Sequence, residues 1–109
     1  MSVGVPEKYE DVGVSTKANV YFDGKVVSHT VTFKDGTKKT IGLIYPGTYT
    51  FNTAAPERMD MVEGSCRYRL KGQDAWTDCA APAYFDVAGS SAFDIVVEGG
   101  ITEYVCSFK

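Results

Sequence analysis

The chain has 109 residues, of which 44% are hydrophobic and 13% aromatic, and its formal net charge is −3. This length provides for one domain with one core, and this apolar content excludes an intrinsically disordered protein. The slightly acidic balance leaves no basic patch that could bind a phosphate backbone, so we expect no nucleic-acid partner.

The cysteines and the N-terminal residues bear on the cellular compartment. Cys66, Cys79 and Cys106 are an odd number of cysteines at wide spacing, without a CxxC pair, which favours neither a disulfide framework nor a zinc site. The N-terminal residues are polar and acidic, and no apolar run approaches the ~20 residues that a membrane helix needs. We therefore expect a cytoplasmic protein that binds no membrane.

The first part of the chain predicts an extension followed by a β-hairpin. Residues 1–18 mix proline, glycine, serine and charged residues, so we expect an N-terminal extension or edge segment there and a single domain over residues 19–109. Asp-Gly turn signals at residues 23–24 and 35–36 precede alternating segments, which indicates paired strands. One face of the strand between these turns is shared by four residues: Val27, His29, Val31 and Phe33.

Residues 47–64 predict a strand, a corner bent by Pro56, and a second strand that ends at Gly64. Glu57 opens the second strand, and it shares a face with Met59 if that strand is extended. A carboxylate on an otherwise apolar face is either solvated at the end of the strand or placed in a cavity.

The remaining residues predict further short strands and no helix. Residues 65–70 alternate strictly, a short strand follows at 75–77, and residues 93–97 and 102–108 each have one apolar face. About nine short strands separated by turns at roughly 8 to 12 residues indicate an all-β sandwich or barrel. Trp76 lies too close to its neighbouring cysteines for the immunoglobulin arrangement, so a jelly-roll barrel fits better.

Residues in several of these segments resemble one known family. They are the run 21–26, then Tyr49, Phe51, Thr53, Glu57, Met59, Trp76, Phe85, Gly89 and Phe93, and finally Tyr104 with Cys106. In their order and spacing, nearly ungapped over about residues 19–108, they resemble the pyrimidine/purine nucleoside phosphorylase family of small cupins.

The resemblance implies an all-β, cupin-like jelly-roll barrel and an enzyme, a pentosyltransferase. The family is described as cleaving purine and pyrimidine nucleosides with inorganic phosphate, which gives a free base and ribose 1-phosphate. Nucleosides and phosphate are therefore the expected partners. Phosphate is a co-substrate, and we expect no other cofactor.

The general cupin pattern also bears on metal binding, since its first motif supplies two histidines and a glutamate as ligands. Here Glu57 and Gly64 keep the spacing of the second half of that motif, whereas Phe51 and Thr53 stand where the histidines would be. The only histidine, His29, is far away in the sequence. Because transition metals need imidazole or thiolate donors, we expect no bound metal.

Two residues are candidates for the chemistry. Phosphorolysis passes through an oxocarbenium-like transition state, and a buried carboxylate can bind ribose hydroxyls and stabilise the developing charge, so Glu57 is the first candidate. Thr53 could donate its hydroxyl to phosphate or ribose. A solvated glutamate at a strand end and an ordinary turn threonine are the structural alternatives.

Further residues are candidates for binding the substrate. Four of them could form an apolar slot against a flat base: Phe51, Met59, Phe93 and Tyr104. Ser91 follows Gly89 in a loop that could cradle an anion, and Tyr21 belongs to an early run that matches the family well. Alternating aromatic residues can equally form the core, Ser91 can belong to a plain turn, and Tyr21 can serve the fold.

Two other classes of function stay open. A non-catalytic cupin could bind a nucleoside or sugar in the same pocket, or the fold could serve only assembly. We expect a homodimer in any case, because the edge strands of an open jelly roll need cover and residues 1–18 could be exchanged between copies.

Overall fold

The computed structural model describes residues 5–109, which form two β-sheets that face each other. The strands, in chain order, are β1 (Gly13–Val14), β2 (Asn19–Tyr21), β3 (Val26–Thr32), β4 (Lys38–Ile44), β5 (Gly47–Asn52), β6 (Glu57–Glu63), β7 (Ser65–Leu70), β8 (Thr77–Ala80), β9 (Ala83–Val87), β10 (Ala92–Val97) and β11 (Thr102–Phe108). A single 3-10 turn, Phe22–Gly24, separates β2 from β3. Residues 5–109 contain no α-helix, so the all-β prediction is confirmed.

The strands pair within two separate sheets. The seven-stranded sheet has the order β1-β3-β4-β11-β6-β9, with β2 also paired to β3, and the four-stranded sheet has the order β5-β10-β7-β8. The two sheets do not close into the predicted jelly-roll barrel, because the described strands do not pair from one sheet to the other. The chain changes sheets six times between β4 and β11. Two of these changes fall at Pro46, which lacks a backbone donor, and at Gly64, whose φ is +83°.

The hairpin of β3 and β4 forms where the turn signal predicts it. The carboxylate of Asp35 accepts hydrogen bonds from the backbone N–H and the hydroxyl of Thr37, at 2.9 and 2.7 Å. Gly36 has a φ of +90°, which a residue with a side chain rarely adopts. The short strand expected at residues 75–77 starts later, at Thr77, and Trp76 precedes it, with its ring against the guanidinium of Arg69.

The face shared by Val27, His29 and Val31 points away from the second sheet. Val26 and Ser28 lie on the inner face of β3 instead, and both are fully buried. Within the described part of the predicted N-terminal extension, β1 lengthens the sheet by pairing with β3. Tyr9 and Val12 lie on the outer face, where they line a pocket with Val31 and Ile41, and the ring of Tyr9 packs edge-on against that of Phe33 at 5.2 Å. The first four residues of that extension lie outside the described residues.

Aromatic rings fill the space between the sheets. The rings of Tyr68 and Phe85 stack with centroids 3.9 Å apart, and Phe85 contacts Phe93 edge-on at 5.5 Å. Ile95 and Val97 continue the buried face of β10, as predicted. At one end this core gives way to a cavity. No helix within residues 5–109 has the length and apolar character needed to cross a membrane.

Candidate functional site

The cavity lies between the two sheets and has a volume of about 150 Å³. It is lined by eleven residues: Tyr21, Ser28, Thr40, Phe51, Asn52, Glu57, Met59, Phe93, Tyr104, Cys106 and Phe108. Six of the eight residues predicted from the sequence are among them. The exceptions are Thr53 and Ser91.

One wall of the cavity is aromatic and comes mainly from the four-stranded sheet. Phe51 of β5 and Phe93 of β10 are direct cross-strand partners, and their rings stack with centroids 5.4 Å apart. Phe22, from the 3-10 turn, meets the edge of Phe51 at 5.3 Å, and Tyr21 lies beyond it at 6.3 Å. This wall offers ring faces and no charge.

The opposite wall is polar and comes from the seven-stranded sheet. Thr40 and Cys106 are cross-strand partners on β4 and β11, and Glu57 on β6 lies opposite Phe108, one pleat away. These side chains share a face because residues two apart on a strand point the same way. The wall therefore presents hydroxyl, thiol and carboxylate groups to the aromatic side.

Glu57 lies in this cavity and is half buried. Burial raises the pKa of its carboxyl, and a hydrogen bond from the Cys106 thiol opposes that rise. Of the two arrangements considered for Glu57, the structure therefore has the one in which the carboxylate lines a cavity. A carboxylate with little solvation interacts more strongly with a positive charge than one in water does.

Cys106 is nearly fully buried beside Glu57. Burial raises the pKa of its thiol, and the neighbouring Glu57 carboxylate raises it further. The thiol is therefore protonated at neutral pH and acts as a hydrogen-bond donor rather than as a nucleophile. Of the three cysteines, Cys106 lines the cavity, whereas Cys66 and Cys79 are cross-strand partners elsewhere.

Tyr104 reaches the cavity by crossing a neighbouring strand. Its partner across β4 is Gly42, which is also the partner of Ser28 on β3. Because Gly42 has no side chain, the phenol ring can lie over β4 beside Ser28. Burial raises the pKa of Tyr104 to about 12, so its hydroxyl is neutral at physiological pH.

Thr53 and Ser91 lie outside the cavity lining and contact each other. The Thr53 hydroxyl donates to the carbonyl of Ala88 at 2.7 Å and accepts from the N–H of Ser91 at 3.0 Å. The Thr53 N–H in turn donates to the Ser91 carbonyl at 2.9 Å. These bonds fix the corner between β5 and β6 against the loop at 88–91, next to Asn52 at the mouth of the cavity.

Five lining residues were not predicted: Ser28, Thr40, Asn52, Cys106 and Phe108. Cys106 and Phe108 could have been found, because they share the alternating face of Tyr104. Ser28 and Thr40 are polar residues on an inner face, and only the pairing of β3, β4 and β11 brings them together.

The fold and the cavity define a small all-β protein of the cupin-like class. Two solved structures of low identity share this fold. Ectoine synthase from P. lautus has 17% identity and a TM-score of 0.64, and the match covers 77% of this chain and 63% of that chain. Fe(II)-HppE has 8% identity and a TM-score of 0.69, and the match covers 98% of this chain and 60% of that chain. The family described as pyrimidine/purine nucleoside phosphorylase matches residues 16–108, and the chain belongs to it.

Its similarity to individual members extends over nearly the whole chain. A pyrimidine/purine nucleoside phosphorylase from Polaromonas sp. strain JS666 is 54% identical over 106 residues, which cover 95% of this chain and 98% of the relative. One from Aromatoleum aromaticum is 55% identical, with coverage of 97% and 99%. The crystal structure of a DUF1255 protein of unknown function from Acinetobacter sp. ADP1 has 40% identity and a TM-score of 0.91, and covers 94% of this chain and 98% of that chain.

The donor set of the cavity does not fit the metal centre that an iron-bearing structural neighbour suggests. Within residues 5–109, no group of three or more histidine, cysteine or acidic side chains is placed to hold a metal ion. Glu57 and Cys106 are the two such donors in the lining. His29 lies on the opposite face of β3 from Ser28, with its ring Nδ1 3.0 Å from the Ser15 carbonyl oxygen. That no metal binds stays a prediction.

Proposed function

We propose that this protein is a nucleoside phosphorylase that cleaves purine and pyrimidine nucleosides with inorganic phosphate to free base and ribose 1-phosphate. Membership of the pyrimidine/purine nucleoside phosphorylase family supports this function. The observation that carries it in the structure is the cavity with one aromatic and one polar wall. A nucleoside has the matching halves, a flat base and a hydroxylated sugar.

The base packs on the aromatic wall and the ribose on the polar wall. Stacking on Phe51 and Phe93 recognises the ring face and not the exocyclic groups, which suits both purines and pyrimidines. The cavity volume of about 150 Å³ is below the roughly 300–1,000 Å³ of typical ligand pockets. Part of the substrate therefore extends to the mouth, where the side chains of Tyr21 and Phe108 are half exposed.

Glu57 is the proposed catalytic residue. In phosphorolysis a phosphate oxygen bonds to C1′ of ribose while the C1′–N bond breaks, and the bonding electrons leave with the base, which is then protonated. The sugar gains positive charge in the transition state, and an ionised Glu57 carboxylate stabilises it at short range. Thr53 contributes indirectly in this scheme, because with Ser91 it holds the corner that carries Phe51 and Asn52.

A second function is favoured by the absence of a basic residue from the described lining of the cavity. A phosphate dianion without a lysine or arginine partner would have to rely on hydroxyl and backbone donors. A protein that binds nucleosides without turning them over would need no such partner. The alternative is therefore a non-catalytic nucleoside- or sugar-binding protein that uses the same two walls.

The proposal includes a cytoplasmic homodimer that needs no cofactor besides phosphate as co-substrate. All three cysteines are free thiols, as is usual in a reducing compartment. The edges of the seven-stranded sheet expose apolar side chains, among them Val14 and Tyr84, which a second copy could cover. Light scattering that gives the monomer mass would rule out the dimer. Loss of turnover in EDTA, restored by a metal, would contradict the cofactor proposal.

Base release tests the activity directly. The purified protein is incubated with inosine or uridine, with and without phosphate, and the free base is followed by chromatography. We expect release that depends on phosphate. If no common nucleoside yields base at high protein concentration while calorimetry detects binding, the binding function replaces the enzymatic one.

A further inference from the structure

A row of side chains crosses the end of the seven-stranded sheet at the mouth of the cavity. β3 ends at Thr32, β4 begins at Lys38, β11 ends at Phe108 and β6 begins at Glu57. Thr32 pairs with Lys38, and Phe108 pairs with Glu57. The register of β4 with β11, continued by one residue, places Lys38 beside Phe108. These four residues form the mouth row.

The side chain of Lys38 belongs to the cavity face of β4. Residues two apart on a strand point the same way. The next two residues on this face are Thr40, which lines the cavity, and Gly42, which lies beneath the ring of Tyr104. Lys38 is exposed, because it lies at the outer end of this face. A basic side chain thus borders the cavity, although the described lining contains none.

Lys38 is free to bind an anion. Five other basic side chains within residues 5–109 form ion pairs: Lys34, Arg58, Arg67, Arg69 and Lys109. Lys39, the neighbour of Lys38, points to the opposite face and donates to the Ser107 hydroxyl at 2.9 Å. Since a lysine carries its three donors on a flexible four-carbon stem, the ammonium group of Lys38 can turn over the mouth.

Hydroxyl groups adjoin Lys38 on the same face. Thr32 is its cross-strand partner, and in the next row towards the core Thr30 pairs with Thr40. The Thr30 hydroxyl accepts a hydrogen bond from the Asn19 amide at 3.2 Å, which leaves its own hydrogen for another acceptor. An ammonium group beside hydroxyl donors supplies the positive charge and the hydrogen bonds that phosphate oxygens require.

We infer that inorganic phosphate binds at the mouth row, with Lys38 as its charged partner and the neighbouring threonine hydroxyls as further donors. The inference rests on the proposed function for the reaction. Neighbouring strands are about 4.8 Å apart, so Lys38 and Glu57, which β11 separates, have Cα atoms roughly 10 Å apart. Phosphate on the Lys38 side of Phe108 is thus kept from the like charge of Glu57. One of its oxygens can form the bond to C1′ of a ribose on the polar wall.

Kinetics at varied phosphate concentration test this site. Lys38→Met removes the charge and keeps most of the stem, so we expect the KM for phosphate to rise about tenfold to a hundredfold, the range for one charged hydrogen bond. The KM for inosine should stay close to that of the unmodified protein, and Lys38→Arg should restore most of the phosphate affinity. If only the KM for inosine rises, the inference is overturned, because Lys38 would then bind the nucleoside.

Lys39→Met is the matched control. It removes the same charge from the adjacent residue on the opposite face, and it leaves the mouth row unchanged. We expect its KM for phosphate to match that of the unmodified protein. Equal rises in Lys38→Met and Lys39→Met would refute the site, because a general electrostatic attraction would then account for both.

A second measurement needs no turnover. Phosphate is titrated into 15N-labelled protein, and potassium chloride of equal ionic strength is titrated in parallel. We expect phosphate alone to cause saturable shifts of the backbone amide resonances of residues 38 and 40, in the unmodified protein and in Lys39→Met but not in Lys38→Met. Without saturable shifts in the unmodified protein the phosphate site is refuted, whereas saturable shifts without base release would refute only the enzymatic function.

Discussion

Replacing Gly42 with alanine tests whether the polar wall depends on the close approach of Tyr104 to β4. A Cβ atom at this position would lie 2.4 Å from the carbonyl oxygen of Val27, 2.7 Å from Cβ of Ser28 and 2.9 Å from Cε1 of Tyr104. Favourable carbon contacts are about 3.5–4.0 Å, so all three neighbours must shift. The closest is a backbone atom of a paired strand and cannot rotate away.

The size of the effect follows from the position of β4. This strand is paired on both sides, with β3 and with β11, so relief in one direction strains the other ladder. Overpacking costs about 1–3 kcal/mol, and the backbone contact favours the upper part of that range. For a domain of ~100 residues, a loss of about 2–3 kcal/mol lowers the Tm by roughly 10–20 °C.

The assay pairs thermal unfolding with phosphorolysis at a temperature well below the lowered Tm. We expect kcat/KM to fall about tenfold even where the Gly42→Ala protein is fully folded, since displacement of Tyr104 and Ser28 distorts the wall on which the ribose is proposed to pack. Gly13→Ala is the matched control, because nothing lies within 4 Å of a Cβ built there. A Gly42→Ala protein with the Tm and kcat/KM of the Gly13→Ala control would refute the reasoning.

Three further predictions concern the cavity and its support. Glu57→Gln should lower kcat by orders of magnitude, and an unchanged kcat would remove Glu57 from the mechanism. The same variant should raise the Tm at pH 7, because burial raises the pKa of Glu57 and ionisation above that pKa disfavours the folded state. This gain in Tm should vanish at low pH, where Glu57 is protonated in both the folded and the unfolded state. Cys106→Ala removes the thiol that donates a hydrogen bond to Glu57, so the pKa of Glu57 should rise and the acid limb of the kcat/KM profile should move to higher pH. Cys106→Ser should return the acid limb to its original position. Superimposable profiles of Cys106→Ala and the unmodified protein would contradict a role of Cys106 as donor to Glu57. Thr53→Val leaves the carbonyl of Ala88 and the N–H of Ser91 without partners and should cost about 1–3 kcal/mol in urea unfolding, with little change in kcat; an intact stability would exclude the corner role.

Local signals in the sequence predicted the elements around the site. The Asp-Gly turn before β4, the corner at Pro56 and the alternation of β10 each depend on residues a few positions apart, and the structure has all three. The apolar slot of Phe51, Met59 and Phe93 followed from the same alternation combined with the family resemblance. Periodicity shows which residues of a strand share a face. On β5, β6 and β10 the predicted face is the one that points between the two sheets.

The polar wall could be predicted only in part: Glu57 was a candidate from the sequence, whereas Ser28 and Thr40 are brought to the cavity by pairing between distant strands. Ser28 and Tyr104 are far apart in the sequence and meet only because Gly42 lies between them in the sheet. On β3 the alternation shows that Val27 and Val31 share a face, but it does not show that this is the outer face. The outer face is apolar because the N-terminal segment packs on it, and hydrophobicity alone does not distinguish two covered faces.

The three positions compared with the cupin metal motif have three separate places in this structure. Phe51 belongs to the aromatic wall, Thr53 uses its hydroxyl to fix the corner outside the cavity, and Glu57 keeps its place among the lining residues. The group left to bear charge in the cavity is thus a single carboxylate, set among neutral donors from Cys106 and Tyr104. Such a site suits a transition state in which the sugar becomes positive, because the carboxylate meets that charge while the neutral donors hold the surrounding oxygens.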